Sequence, residues 1–189
     1  MNQYLIVGLG NIGVEYAGTR HNIGFEVLDA FAKASNIFFA TDRYADVASL
    51  SLKGRKITLI KPSTYMNLSG KAVRYWLDKT GAPVSNLLVI VDELALPLAT
   101  LRIKLKGSDG GHNGLKSIQH LLQTQDYPRL RFGIGNDYPK GQQARYVLSQ
   151  WTDEEFKQLG PAIERSVEAI KSFVLAGPQI TMNQFNTKG

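Results

Sequence analysis

The chain contains no cysteine. That excludes disulfides, thiolate nucleophiles and cysteine-ligated metals, and it fits a reducing compartment. With three histidines and no cysteine, a metal centre is not expected. No apolar run approaches the roughly 18 residues of a membrane helix. The opening Met-Asn-Gln-Tyr has neither the basic start nor the long apolar segment of a signal peptide, so a cytoplasmic location is expected. Also missing are a G-x-S-x-G elbow, an H-E-x-x-H pair and two carboxylates set up for glycosidic chemistry. Acidic residues are outnumbered 16 to 22 by Lys and Arg. The net charge of +6 suggests an anionic partner, nucleic acid among them. Hydrophobic residues make up 43% of the 189, enough for one domain, 1–189, with a substantial core.

The chain is organised around Tyr4 to Gly24. Leu5-Ile6-Val7 reads as a buried parallel strand, and a glycine-rich turn follows, ending in Arg20, His21 and Asn22. Gly8, Gly10 and Gly13 match the dinucleotide fingerprint G-x-G-x-x-G. That motif works only if a helix opens at the glycines, so that its N-terminus meets the pyrophosphate. Here Val14 to His21 carry no apolar helical face, and the helical pattern starts at Ile23. Asp42 lies too far along to be the ribose-binding acid. Glycines that merely permit a tight turn account for Gly8 and Gly10 but not for Asn11 and His21.

Ile23 to about Ala34 is an amphipathic helix, with Val27, Leu28 and Phe31 on one side. Asp46 to Leu52 reads weakly as a strand, Lys53-Gly54-Arg55 as a hairpin turn, and Ile57 to Ile60 as a second buried strand. Ser69 is positioned to cap a helix burying Val73, Trp76 and Leu77, and Gly81 with Pro83 ends it. Leu87 to Val91 is the most apolar strand. Leu101 to Lys106 alternates Leu101, Ile103 and Leu105 with Arg102, Lys104 and Lys106, a strand with one wet, basic face. The second glycine-rich loop, Gly107 to Gly114, leads to a helix from about Leu115 to Leu122, and Leu130 to Gly135 is a further strand. Thr152-Asp-Glu-Glu155 is a capping box. Gly160-Pro161 is expected to break that helix, and a second runs to Ala176. Strands alternating with helices predict an α/β fold with a mixed, mainly parallel twisted sheet flanked by helices.

Polar residues gather after predicted strands: Asn11 and His21 after the first, Tyr65-Met66-Asn67 after the second, Asp92 after the third, and His112-Asn113 in the second glycine loop. One site at one edge of the sheet is expected. A neutral imidazole can take a proton from water, a carboxylate can fix its tautomer, and amide side chains can donate to a developing oxyanion. Each residue alone is more often a turn or cap than a catalyst; His120, inside a helix, reads as structural. The set as a whole suits hydrolysis.

Gly8-Leu-Gly-Asn-Ile-Gly13 with Thr19-Arg-His-Asn22, Lys61-Pro-Ser-Thr-Tyr-Met-Asn-Leu-Ser-Gly70, Asp92-Glu-Leu-Ala-Leu-Pro97, Gly107 to Ile118 and Arg129 to Gly135 occur in this order. Together they closely resemble the bacterial-type peptidyl-tRNA hydrolase family, over essentially the whole chain. The resemblance implies a monomeric enzyme without a cofactor that cuts the ester joining a peptide to the 3′-terminal ribose of tRNA, recycling tRNA from prematurely released chains. It implies His21 as general base, oriented by Asp92. It further implies Asn11, Tyr16, Tyr65, Asn67, His112 and Asn113 around the substrate, and Lys104, Lys106 and Arg131 on tRNA phosphates. Three positions depart from the family pattern: Ile12 for a usual proline, Ala95 for a usual aspartate and Asn136 for a more usual basic residue. They bear on substrate preference. Some relatives, notably plant organellar splicing factors, bind RNA without hydrolysing an ester, so an RNA-binding module is the rival from another class. A nucleotide-dependent enzyme is the third reading.

Overall fold

Leu5, Ile6 and Val7 are apolar in unbroken succession, so a strand built from them needs cover on both faces. The computed structural model, which describes residues 2–186, puts that strand in the middle of a seven-stranded sheet. The strands are β1 (Gln3–Gly8), β2 (Ala40–Asp42), β3 (Ala45–Leu52), β4 (Arg55–Pro62), β5 (Leu87–Glu93), β6 (Leu101–Lys104) and β7 (Arg129–Gly133). Their spatial order is β2-β3-β4-β1-β5-β7-β6. The central four, β4, β1, β5 and β7, are parallel; β2, β3 and β6 add antiparallel edges. The helices are α1 (Ile23–Ala34), α2 (Ser69–Thr80), α3 (Asn113–Leu122), α4 (Gln143–Val147), α5 (Asp153–Ala176) and α6 (Pro178–Phe185).

Strand alternation divides the core in two. Ile6, Leu88, Ile90, Leu130 and Phe132 face α1 and α5, while Leu5, Val7, Val89 and Val91 face α2 and α3. The expected α/β fold with a parallel centre is therefore present, and the parallel strands all deliver their C-terminal ends to one edge of the sheet.

The first glycine motif serves helix packing. A Cβ on Gly8 would lie 2.3 Å from the Gly24 carbonyl oxygen, and one on Gly24 would lie 2.5 Å from the Leu9 nitrogen. The start of α1 thus rests backbone to backbone on the end of β1, and α1 begins at Ile23, ten residues after Gly13.

Several local expectations are corrected. Gly160-Pro161 does not end a helix: α5 runs without interruption from Asp153 to Ala176. Pro161 removes one backbone hydrogen bond, but it lies on the exposed side where water can serve the freed carbonyl. Leu159, Ala162, Val167, Ile170 and Phe173 hold the opposite face in the core. Ser69 is the first residue of α2, not its cap. Its hydroxyl donates to the Met66 carbonyl at 2.7 Å, and the Gly70 N–H donates to Ser117 Oγ of α3 at 2.8 Å. The basic edge strand stops at Lys104, leaving Leu105 exposed. The outward N–H and C=O of Ile103 are both taken by the side-chain amide of Asn186. His120 faces solvent and is no part of the core.

Candidate active site

The parallel strands end where the polar loops begin. The loop after β1 closes in a 3-10 turn, Arg20–Asn22, with His21 at its centre. Arg20 fixes this turn from below. Its guanidinium donates to both carboxylate oxygens of Glu155 at 2.7 and 2.8 Å and to Ser149 Oγ at 3.0 Å. It also lies 4.3 Å over the Tyr146 ring. Glu155 in turn closes the capping box with Thr152. The residue beside His21 is thereby tied to the segment joining α4 to α5.

Asp92, the penultimate residue of β5, is buried. Its Oδ2 lies 2.8 Å from His21 Nδ1, and its Oδ1 lies 2.8 Å from His112 Nε2. The two imidazoles flank it with ring centroids 4.9 Å apart. Burial pushes the Asp92 carboxyl up, but the two histidines outweigh it and hold the group well below the usual carboxylate range. An ionised carboxylate only accepts, so the ring nitrogen facing each oxygen must donate. His21 is then the Nδ1–H tautomer when neutral, with its Nε2 lone pair unengaged. Burial pulls the His21 pKa down, but the charge and hydrogen bond of Asp92 raise it above its ordinary value. One nitrogen from each histidine and an Asp92 oxygen lie within 4.8 Å of one another, close enough to hold a metal ion. The carboxylate–imidazole distances are nevertheless those of direct hydrogen bonds, shorter than an interposed ion would leave.

His112 reaches Asp92 by an indirect route. Because β6 is antiparallel, Lys104 pairs with Arg129, level with Val89 and three residues short of Asp92. At ~3.3 Å per residue the chain must travel back about 10 Å, which residues 105–112 do. Arg129 organises that return: its buried guanidinium donates to the carbonyls of Gly107, Ser108, Gln125 and Tyr127.

Asn11 is oriented from three sides. Its N–H donates to Asn22 Oδ1 at 2.8 Å, and its carbonyl accepts from Asn22 Nδ2 at 2.9 Å. Its own Oδ1 accepts from the Met66 N–H at 2.7 Å, which joins the first loop to the Tyr65–Leu68 turn. Among the described residues the side-chain nitrogen of Asn11 has no partner, which leaves it as a donor.

His21, Asp92, His112, Asn113 and Glu93 line a cavity of about 340 Å³, with Gly110 and Gly111 on one side and Gln143, Ala144, Val147 and Leu148 of the α4 segment on the other. Asn11 lines a separate cavity of about 290 Å³ with Ile12, Asn22, Glu26, Asp29, Asp46 and Lys61. Three carboxylates, Glu26, Asp29 and Asp46, thus share the cavity of Asn11. Burial pushes the Glu26 carboxyl up to about 7, however, and Lys61 pairs with Asp29 at 2.6 Å. Tyr65 and Asn67 stand exposed on the turn after β4, and Tyr16 is half-buried in the first loop; none of the three lines the His21 cavity.

Lys104 and Lys106 are exposed. Arg131 is more enclosed: its side chain is 12% accessible and donates to Glu93 at 3.1 Å. Opposite it in register is Arg102, and the Nε atoms of both are buried without a partner among the described residues.

Asn22, Arg20 and Arg129 carry supporting roles that no sequence motif marks. Asn22 directly follows the candidate base, but its job is defined by a backbone 11 residues away.

A family model described as peptidyl-tRNA hydrolase matches residues 5–189. The chain is 62% identical over 186 residues to the peptidyl-tRNA hydrolase of Phocaeicola vulgatus, covering 98% of this chain and all of the relative. It is 61% identical to that of Bacteroides fragilis, with the same coverage. The crystal structure of peptidyl-tRNA hydrolase from Acinetobacter baumannii superposes with a TM-score of 0.92 at 34% identity, covering 98% of this chain and 95% of that one.

Proposed function

The chain belongs to the peptidyl-tRNA hydrolase family and is an enzyme of that kind, and from this premise we propose that His21 activates water against the ester joining peptide to tRNA. The observation that carries the proposal is the His21 Nδ1–Asp92 bond of 2.8 Å, which leaves Nε2 as a lone pair in a cavity. In this mechanism Nε2 takes a proton from water as the hydroxide equivalent adds to the ester carbonyl. The carbonyl oxygen gains charge, and the side-chain amides of Asn11, Asn67 and Asn113 are the proposed donors for it and for the flanking peptide group. Collapse expels the ribose 3′-oxygen, which takes the proton back from the imidazolium. Acid and tRNA leave, and the base is restored.

Tyr16 and Tyr65 remain proposed neighbours of the substrate, and 1–189 is proposed to act as one unit, as a monomer, in the cytoplasm. Among the described residues no helix is long and apolar enough to cross a membrane.

The deciding experiment is incubation with N-acetyl-aminoacyl-tRNA and with its unacetylated counterpart. Release of N-acetyl amino acid, with the free aminoacyl ester spared, is expected. A neutral amide suits Asn11, whereas an ammonium would need a desolvated counter-charge. Asp92 is engaged on both oxygens, Asp29 is paired with Lys61, and burial disfavours the charged form of Glu26 by raising its carboxyl to about 7. Binding of full tRNA without release of any acyl group would favour the RNA-binding module instead.

The tRNA body is proposed to be held through phosphates by Lys104, Lys106 and Arg131, with Arg102 added by its register opposite Arg131. Lys104→Ala is expected to raise KM on full-length substrate and reduce the salt slope by about one. A minimal 3′-end fragment should be cut as before. Arg131→Ala is a poorer probe, because it also releases Glu93 into the catalytic cavity. Equal losses on fragment and full tRNA in Lys104→Ala would remove this face from the tRNA footprint.

A further inference from the structure

The resemblance places His112 among the groups that touch substrate, yet the protein itself occupies both of its ring nitrogens. Nδ1 accepts from the backbone N–H of Gly114 at 3.0 Å and of Leu115 at 3.4 Å, making His112 the N-cap of α3. Nε2 lies 2.8 Å from Asp92 Oδ1. A nitrogen that accepts two N–H bonds carries no proton, and a nitrogen facing an ionised carboxylate must carry one. Both ends therefore select the same Nε2–H tautomer. Capping alone would be met by Asn, Asp, Ser or Thr, the usual residues at this position. Histidine adds a second arm long enough to reach the end of β5.

We infer that His112 is a positioning residue: it locks the free oxygen of Asp92 from the N-terminus of α3, and so fixes the carboxylate that orients His21. Without it, the Asp92 carboxylate could turn together with the His21 ring that it still holds, and the ring would lose its fixed aim at the water. The inference rests on His21 as the base.

Removal of His112 also changes the charge that His21 feels. Asp92 and Glu93 of β5 and Asp109 and His112 of the returning loop line the same cavity. The facing α4 wall of Gln143, Ala144, Val147 and Leu148 carries no titratable group. Glu93 is paired with Arg131, and Asp109 accepts from the Gly111 N–H. Asp92 is thus the dominant partner of His21. When His112 no longer shares it, Asp92 holds the His21 proton more tightly.

Two measurements test this. Histidine-labelled ¹⁵N NMR on the intact protein is expected to show His112 protonated at Nε2 and unprotonated at Nδ1. Neutral His21 should be the opposite, with exposed His120 as reference. This readout does not depend on what the enzyme hydrolyses. His112→Asn retains a good cap but is too short to bridge to Asp92. It is expected to lower kcat about tenfold or more, leave KM unchanged and raise the midpoint of the kcat–pH profile by roughly half to one unit, the scale of one ordinary hydrogen bond. A His112 Nδ1–H tautomer, or a variant whose KM rises while kcat and midpoint stay put, overturns the inference and returns His112 to substrate contact. An unchanged enzyme overturns it too. Full activity of a His21→Ala variant would instead overturn the base assignment, a separate failure.

Discussion

His21→Ala is expected to reduce kcat by ~10²–10⁴-fold, the usual worth of general base catalysis, while KM for peptidyl-tRNA changes little. The imidazole makes one side-chain hydrogen bond, to Asp92, and the 3-10 turn that carries it is held by others. Arg20 anchors that turn to Glu155 and Ser149, and Asn22 ties it to the Asn11 backbone. The fold should therefore survive. A stability loss of about 1–3 kcal/mol is expected, because the buried carboxylate loses one of its two imidazole partners. Circular dichroism and thermal unfolding check the fold, and single-turnover kinetics check the chemistry. A folded variant that keeps half its rate would show that another group activates water.

Asp92→Asn is expected to cost roughly tenfold to a hundredfold in kcat, less than removal of the base itself. The physical problem is a mismatch of donors and acceptors. The carboxylate accepts from two imidazoles, one on each oxygen. An amide has one oxygen, so its NH₂ group must face one ring nitrogen that is already a donor. His112 is held in its tautomer by the α3 N-terminus, so the amide oxygen should turn to His112 and its NH₂ to His21. His21 would then favour the other tautomer and present Nε2–H to water, so that only its minor tautomer could act as a base.

The pH dependence separates this from simple loss of structure. In the wild type the Asp92 charge raises the His21 pKa against the opposing effect of burial. The neutral base therefore appears only above a midpoint higher than the reference value of about 6.5, and activity rises with pH through it. Without the carboxylate charge burial acts alone, so the midpoint should fall even as the plateau drops. A profile of kcat from pH 5 to 9 on both proteins reads this directly. An unmoved midpoint would mean that Asp92 is not the group that sets the His21 titration.

The amino-acid sequence determined the local elements of this protein. Leu5-Ile6-Val7 and Leu87 to Val91 could only be strands covered on both faces. The spacing of Val27, Leu28 and Phe31 required a helix with one buried side, and Thr152 with Glu155 marked a helix start. The sequence also offered His21, Asp92, Asn11, Asn67, His112 and Asn113 as one expected site, because loops after parallel strands meet at one sheet edge. The helices and strands depend on residues near one another in the chain, where periodicity and capping act.

Tertiary structure decided the rest, because the remaining partners are distant in sequence. Pro161 passes through α5 since packing against the sheet, which no local pattern encodes, outweighs one lost backbone bond. Asn22 became the support of Asn11, and Arg129 the brace of the second glycine loop, only once the backbones they grip had been brought together. His112 meets Asp92 because β6 runs antiparallel and its loop must double back, a matter of strand direction that a chain of residues does not display. Hydrogen bonds need donor and acceptor within about 3 Å and correctly aimed, and across such separations only the assembled sheet meets that demand.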